Sequence, residues 1–380
     1  MSDYQKVMPV ANDIIKKYGL CDHCMGRLFS KQLGLSSNRL LGKKLNKNQR
    51  LHVKCFICKN LFDNLEYFLK LMIESSSNYS YSSFSVGAMI KPSIVDRDDH
   101  IRSQYKLRGI DSIKTDVTKQ LGKSFSRKTR KLVDHLDSEI TFTINLRDDL
   151  CELRSKSITF SGRYVKTARG LPQKQKSCDN CFGKGCRSCH FHGISEFDSV
   201  EGMISKFLFA KIGGTLAKFT WIGGEDQSSL VLGSGRPFFV KIQNPNKRDL
   251  ESSEADLDSL KLRCLHLVCE SPKKPVKFNS SLSVRISTDS EIDSQNLKKL
   301  KDLPNRPVVV YENSGKRSEK KIFNVKYRKN SKNTFTLIMK AEGGLPVKRF
   351  VSGDDVVPGI SNILDMRCIC EEFDFLDVEI

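Results

Sequence analysis

Two kinds of residue in this chain could do chemistry: a pair of adjacent carboxylates at a glycine turn, and eight cysteines arranged in pairs. The carboxylates are Glu225 and Asp226, in the stretch GGEDQSSLVLGSGRPFFVKIQNPNKR at residues 223–248. Gly223 and Gly224 let the backbone reverse without a Cβ penalty and set both acids at a tip. Ten residues after Asp226, Arg236 follows a Gly-Ser-Gly turn and leads into the apolar strand Phe238 to Ile242. An aspartate with an ordinary pKa near ~3.9 is charged at neutral pH, and a guanidinium such as Arg236 beside it would hold it so. An ionised carboxylate can act as a nucleophile or a base. By residue types alone such a hairpin is more often a solvated loop than an active site.

The paired cysteines are Cys21 and Cys24 in CDHCMGR, Cys55 and Cys58 in VKCFICKN, and the compact run Cys178-x2-Cys181-x4-Cys186-x2-Cys189. Two Cys-x-x-Cys knuckles supply four thiolates about 2.3 Å from a tetrahedral zinc, so each group of four fits one structural site. Gly183 and Gly185 allow the reversal that four convergent sulfurs need. Buried free thiols are the bland alternative, redox chemistry a remoter one, and His190 or His192 could replace a cysteine. His23 and His52 sit off the ligand spacing and read as surface residues. Cys151, Cys264, Cys269, Cys368 and Cys370 lie in apolar, strand-like company and read as core packing.

These residues sit in a chain of 380 residues, long enough for two or three domains. Lys and Arg exceed Asp and Glu by twenty (64 against 44), which points to phosphate-bearing partners. No run of eighteen apolar residues occurs, and the charged start MSDYQKVMPV reads as a helix rather than a secretory signal. A soluble, cytoplasmic protein is the expectation, with no membrane partner.

Taken in order, residues 9–20 predict a helix that delivers Cys21 and Cys24. From Met25 to Leu61 there are nine basic residues and no acid. A helix is predicted over 62–75, then a serine-rich loop and the strand SFSVGAMI. The stretch Lys119 to Lys131 holds six cations and no acid, a helix with one face suited either to phosphate or to plain solvent. ITFTINL and SITFSGRYV alternate as strands. Beyond Phe197, KLRCLHLVCE, SLSVRIS, RPVVVYE, KKIFNVKYR and TFTLIMKAE read as strands and QNLKKLKDL as a short helix. The sum is a mixed α+β architecture.

Three stretches carry a resemblance: GGED with GRPF and NPNKR beyond it, GRYVKTARGLPQ before the cysteine run, and AEGGLPVKRFVSGD near the end. Together they resemble the archaeal-type tRNA pseudouridine synthases that modify uridine-54 and uridine-55. The resemblance implies Asp226 as catalytic nucleophile, with Glu225 as the rival carboxylate. It also implies Arg236, Lys348 and Arg169 as substrate contacts, with Arg163 and Tyr164 as lesser ones. Gly224 stands where the family carries an arginine, Pro346 where it carries a tyrosine, and a second family tyrosine has no match in NSSLSVRIS. The front half is similar to the family's RNA-binding THUMP module. The implied plan is a cysteine-knuckle region at 1–62, a THUMP-like domain at 63–165, and a catalytic domain at 166–380 with the Cys-rich insert 178–189.

The implied reaction detaches uracil from C1′, turns it, and rejoins it through C5, so the product is an isomer. No cofactor for the chemistry is expected, only structural zinc, and tRNA is the partner of a monomer. A tRNA-binding protein whose isomerase activity has faded is the second reading, favoured by Gly224 and Pro346.

Overall fold

The structure, a computed structural model, describes residues 3–34, 37–46, 54–312 and 314–380, so His52 lies outside it. It is α+β throughout, in two compact units, Met1–Lys156 and Ser157–Ile380. The division falls ahead of the expected boundary at 165/166 because Ile158–Lys166 pairs with Val231–Ile242 and Leu260–Val268 in the second unit. Nor do residues 1–62 stand apart. Cys24, Met25, Leu28 and Phe29 share one buried core with Phe84, Phe125 and Phe142.

In the first unit the basic stretch does form a helix, Ile113–Thr129. The Ser112 hydroxyl accepts the Thr115 N–H at 3.2 Å, capping its start, and Ile113, Val117, Leu121 and Phe125 recur every fourth residue as a buried stripe. That stripe packs on a four-stranded sheet in the order Leu132–Val133, Ser83–Met89, Ile140–Asn145, Leu150–Ser155. Phe84, Phe125 and Phe142 meet there with ring centroids 4.7 to 6.0 Å apart. Asp22–Leu33 and Asn38–Leu45 cross with backbones touching. A Cβ on Gly26 would stand 1.7 Å from the Asn38 carbonyl oxygen, and one on Gly42 1.8 Å from that of Asp22. Gly42→Ala must push the helices apart, and overpacking of this kind costs about 1–3 kcal/mol. Hydrogen exchange in these two helices should quicken accordingly; unchanged protection would contradict the close crossing.

The second unit is built on one large sheet. Its order is Ile322–Lys329, Thr334–Glu342, Asn279–Thr288, Cys368–Glu379, Val231–Ile242, Ile158–Lys166, Leu260–Val268, Ala255–Leu257, with Ala217–Trp221 also beside Val231–Ile242. In Asn279–Thr288, Leu282, Val284 and Ile286 point into the core while Ser281, Ser283 and Arg285 point away, the period of two that makes a half-buried strand. Helix Val200–Ile212 covers the core with Val200, Ile204, Leu208 and Ile212.

The strand-like company expected around Cys368 and Cys370 extends through the acidic C-terminal stretch: Cys368–Glu379 lies in the middle of this sheet, antiparallel to Asn279–Thr288 and parallel to Val231–Ile242. Its acids are matched from neighbouring elements: Glu371 lies 3.0 Å from Arg285 and Asp374 lies 2.7 Å from Arg169. The cysteines outside the pairs divide. Cys368 is buried, but Cys264 and Cys269 are exposed, so core packing does not describe them.

Candidate active site

The two carboxylates at the glycine turn have opposite surroundings. Glu225 is fully buried: its Oε1 lies 3.2 Å from Lys166 Nζ, its Oε2 lies 3.5 Å from Arg236 Nε, and Tyr164 Oη donates to Oε2 at 2.8 Å. Burial pushes the Tyr164 hydroxyl well above its ordinary pKa, so it stays a donor. Lys166 Nζ also donates to the backbone carbonyls of Leu171 at 2.9 Å, Asp226 at 3.2 Å and Gln227 at 3.4 Å. Arg236 donates to the Ile222 carbonyl at 2.9 Å and lies over the Phe375 ring, 4.1 Å from its centre. Gln173 ties Tyr164 Oη to the Gly223 carbonyl. A buried charged network thus grips the turn from behind.

Asp226 points the other way, its side chain 30 % exposed. Lys348 Nζ donates to its Oδ2 at 2.7 Å, and the Ser228 hydroxyl and N–H donate to Oδ1 at 2.6 and 3.0 Å. Burial raises its pKa, but the Lys348 ammonium and the two Ser228 donors outweigh that and bring it down to about 2. The pair opens on a depression of about 350 Å³ lined by Gly224, Leu345, Pro346, Phe373 and Phe375. That volume lies within the range of small-molecule sites. A larger depression of about 520 Å³, among Ser283, Arg285, Arg328 and Thr336, offers no free carboxylate, since its Glu372 and Asp374 are held by Arg169.

Two glycine pairs bring these groups together. The Phe278 ring occupies the space of a Cβ at both Gly223 and Gly343, at 2.4 and 2.5 Å, so it is clamped between the Asp226 turn and the turn leading to Lys348. A side chain at either glycine would have to displace the ring.

Residues 160–379 match the family model described as Pus10, C-terminal, and residues 68–145 match the archaeal Pus10 THUMP domain. The tRNA pseudouridine synthase Pus10 of Nitrosopumilus maritimus is 68 % identical over the whole of both chains. The chain belongs to the Pus10 family of tRNA pseudouridine synthases. The Pus10 proteins of Cenarchaeum symbiosum and Methanothermobacter marburgensis are 36 % and 30 % identical, covering 96 % and 94 % of this chain and 90 % and 95 % of their own. A solved structure described as a Cbf5-Nop10-Gar1 complex aligns at a TM-score of 0.30 and 9 % identity over 56 % of this chain and 57 % of that one, too slight a likeness to bear on function.

Within this Pus10 framework the expected site residues land differently. Lys348, expected as a substrate contact, is the cation at Asp226. Arg236, expected there, is buried against Glu225 and Phe375 and cannot touch a substrate where it stands. Arg169 is held by Asp374 at 2.7 and 2.8 Å and by the Ser228 carbonyl, so it braces the turn. Arg163 is taken up by the carbonyls of Ser234 and Gly235, and Tyr164 is buried. Around Gly224, the place of the family arginine, only Gln173 Oε1 would come within 4 Å of an added Cβ, at 3.9 Å. No other described residue reaches into that space. Phe278, Phe373 and Phe375 belong to no motif in the sequence; Lys166 lies within GRYVKTARGLPQ, one of the stretches that carry the resemblance, but that stretch alone gives it no role.

The pH consequence follows from the Lys348 pair. A lowered carboxylate pKa favours the folded, ionised state above the unfolded value near ~3.9, and that contribution is lost as pH falls through about 2. Carboxyl-carbon NMR should show Asp226 titrating near that low value, and Lys348→Met should move it upward, with the two Ser228 donors still opposing the rise. An unmoved midpoint would show that the ammonium does not set it.

Both cysteine groups converge. In each, the four sulfurs lie within 4.8 Å of one another. Cys21 and Cys58 sulfurs are 3.6 Å apart, Cys181 and Cys189 3.8 Å, Cys186 and Cys189 3.7 Å. A tetrahedron with 2.3 Å bonds has edges of about 3.8 Å, so Cys21, Cys24, Cys55 and Cys58, and Cys178, Cys181, Cys186 and Cys189, fit zinc. Backbone N–H groups of Gly185 and Gly193 point at sulfurs of the second group at 3.2 and 3.3 Å, which stabilises thiolates. With four sulfurs there is no open position, so either metal would stiffen its loop rather than react. His192 is no substitute ligand, since its ring stacks on Phe209; nor is His23 a free surface residue, since its ring stacks on Phe62. Cys21→Ser and Cys178→Ser should each lower the bound zinc by one equivalent in mass-spectrometric metal analysis. An unchanged count would count against the corresponding site.

Proposed function

We propose that this chain converts uridine-54, uridine-55 or both in the T loop of tRNA to pseudouridine, with Asp226 as the nucleophile. The single observation that carries this reading is the asymmetry of the two acids: Glu225 is consumed by a buried network, while Asp226 is ionised and faces an open depression. The N1–C1′ bond breaks, the uracil turns, C5 bonds to C1′, and the proton displaced from C5 is balanced by one gained at N1. Nothing is oxidised or reduced, so the reaction needs no cofactor.

The target base must first leave its stack, at a cost of a few kcal/mol, and be received by protein groups. Phe373 and Phe375 give the depression an apolar floor, and Lys348 holds the nucleophile charged beside it. The same reading has the chain acting as a monomer in the cytoplasm; no helix of the described residues is long and apolar enough to cross a membrane.

Unmodified tRNA transcripts carrying cytidine at position 54, at 55, or at both test the assignment, with product mapped by carbodiimide-stop sequencing. Product at whichever T-loop uridine remains, and none in the double substitution, is the expected result. Product outside the T loop, or none from any transcript, would overturn it.

A further inference from the structure

The cysteine-rich insert carries an arrangement that neither isomerisation nor loop stiffening uses. On one side it is docked: the His192 ring stacks on Phe209 at 4.0 Å between centroids, and His192 Nδ1 lies 2.9 Å from the Thr215 carbonyl oxygen. Elsewhere on it, two phenylalanines are turned out to solvent, Phe182 at 82 % and Phe191 at 50 % exposure. A single exposed apolar side chain is ordinary, but two phenylalanines brought to one small docked segment are the kind of surface that marks a binding site.

The backbone beneath the rings is also unusual. Phe182 has φ of 49° and Phe191 of 62°, the left-handed region that bulky side chains rarely adopt. Glycine would sit there freely, so both rings are presented at a backbone cost. The turns that carry them touch, since a Cβ on Gly185 would stand 2.8 Å from the Phe191 carbonyl oxygen and one on Gly193 2.7 Å from that of Gly183. The sulfurs of Cys178, Cys181, Cys186 and Cys189 converge within this segment, where a bound zinc would hold the turns together. Within the insert the exposed charges are Lys184 and Arg187 against Asp179; on its flanks Lys174 and Lys176 are offset by Glu196 and Asp198, so the cations that stand beside the rings are Lys184 and Arg187.

Rigid aromatic faces among cations fit one ligand chemistry best: unpaired nucleobases, which stack on the rings while their phosphates meet the basic side chains. A second copy of this chain fits worse, because two molecules of net charge +20 repel. The insert is also set apart from the cleft. The Gln173 side chain reaches the Gly223 carbonyl, and its backbone carbonyl accepts the Glu201 N–H at the start of helix Val200–Ile212, whereas the insert docks at Phe209, about 12 Å further along that helix.

We propose that Phe182 and Phe191 form a stacking platform for unpaired bases of the RNA substrate other than the one that reacts, with Lys184 and Arg187 on the adjoining phosphates. This rests on the reading of the chain as an RNA enzyme but not on Asp226. Binding is therefore measured without turnover, in the full-length Asp226→Asn protein, by anisotropy of a labelled unmodified tRNA transcript.

Phe182→Ala and Phe191→Ala should each weaken binding about 10-fold, the typical worth of one base–aromatic stack, and Phe182→Trp should retain it. The salt dependence should keep its slope in the phenylalanine variants and lose about one unit in Lys184→Ser. Binding within twofold of the parent in the double alanine variant would overturn the platform, as would a Trp variant as weak as the alanine one. Where an alanine variant loses zinc, the tryptophan variant carries the test, with quenching of its added indole on RNA binding expected and an unquenched indole contradicting the stack. Loss of product in Asp226→Asn is a separate readout, so failure of one reading leaves the other standing.

Discussion

Glu225→Leu is expected to destabilise the second unit by about 5 kcal/mol, because it strands two buried cations at once. Lys166, Arg236 and Glu225 are all fully buried, and the single carboxylate lies within 3.5 Å of both. Removing one partner of a buried pair typically costs about 3–5 kcal/mol, since the charge left behind has neither water nor counter-ion. Here the Tyr164 hydroxyl loses its acceptor as well. The check is the urea midpoint of the second unit. Adding Lys166→Met should restore part of that loss, as the stranded ammonium disappears with its partner. Product formation should not recover, because Lys166 also holds the Asp226 and Gln227 carbonyls in place. A midpoint unchanged by Glu225→Leu would mean that this network does not carry the turn.

Much of the architecture was legible because its signals are local. The alternation in ITFTIN and SLSVRIS, the four-residue spacing of Ile113, Val117, Leu121 and Phe125, and the paired cysteines each follow from a side-chain period or a ligand geometry. The last strand was legible only at its start, around Cys368 and Cys370. Cys368–Glu379 carries five acids, a composition that argues against a central strand, and partners distant in sequence, Arg285, Arg169 and Lys340, make its place tolerable. The domain boundary was misplaced for a similar reason: Ile158–Lys166 looks like the next strand of the first sheet until its partners at 231–242 and 260–268 are known.

At the site, the glycine turn and both acids were visible in the sequence, and the register of the family pattern pointed to Asp226. The choice of cation was not. Arg236 is near Asp226 in sequence, but it lies on a strand that turns it inward to Glu225, while Lys348 arrives from 122 residues away. Proximity along the chain is a poor guide where a sheet separates two faces. Phe278 has no signature of its own because what marks it is the absence of side chains at Gly223 and Gly343.

The other large effect concerns Asp226 itself. Asn is nearly the same shape and can still accept from Ser228, and the Lys348 ammonium it leaves is 54 % exposed and well hydrated, so Asp226→Asn should cost about 1–2 kcal/mol of stability, well short of Glu225→Leu. What it removes is the negative charge. An amide is not a nucleophile toward a ring or sugar carbon, and loss of a nucleophile typically lowers kcat by about 10⁴-fold or more.

The most direct measurement is a single-turnover rate with the enzyme in excess over unmodified tRNA at saturating concentration, for wild type and Asp226→Asn, alongside tRNA affinity and zinc content of both. Full conversion by the wild type, with no detectable pseudouridine from a variant that folds, keeps its zinc and binds tRNA within a few-fold, is the predicted result. Conversion by the variant at the wild-type rate would contradict the role of this carboxylate.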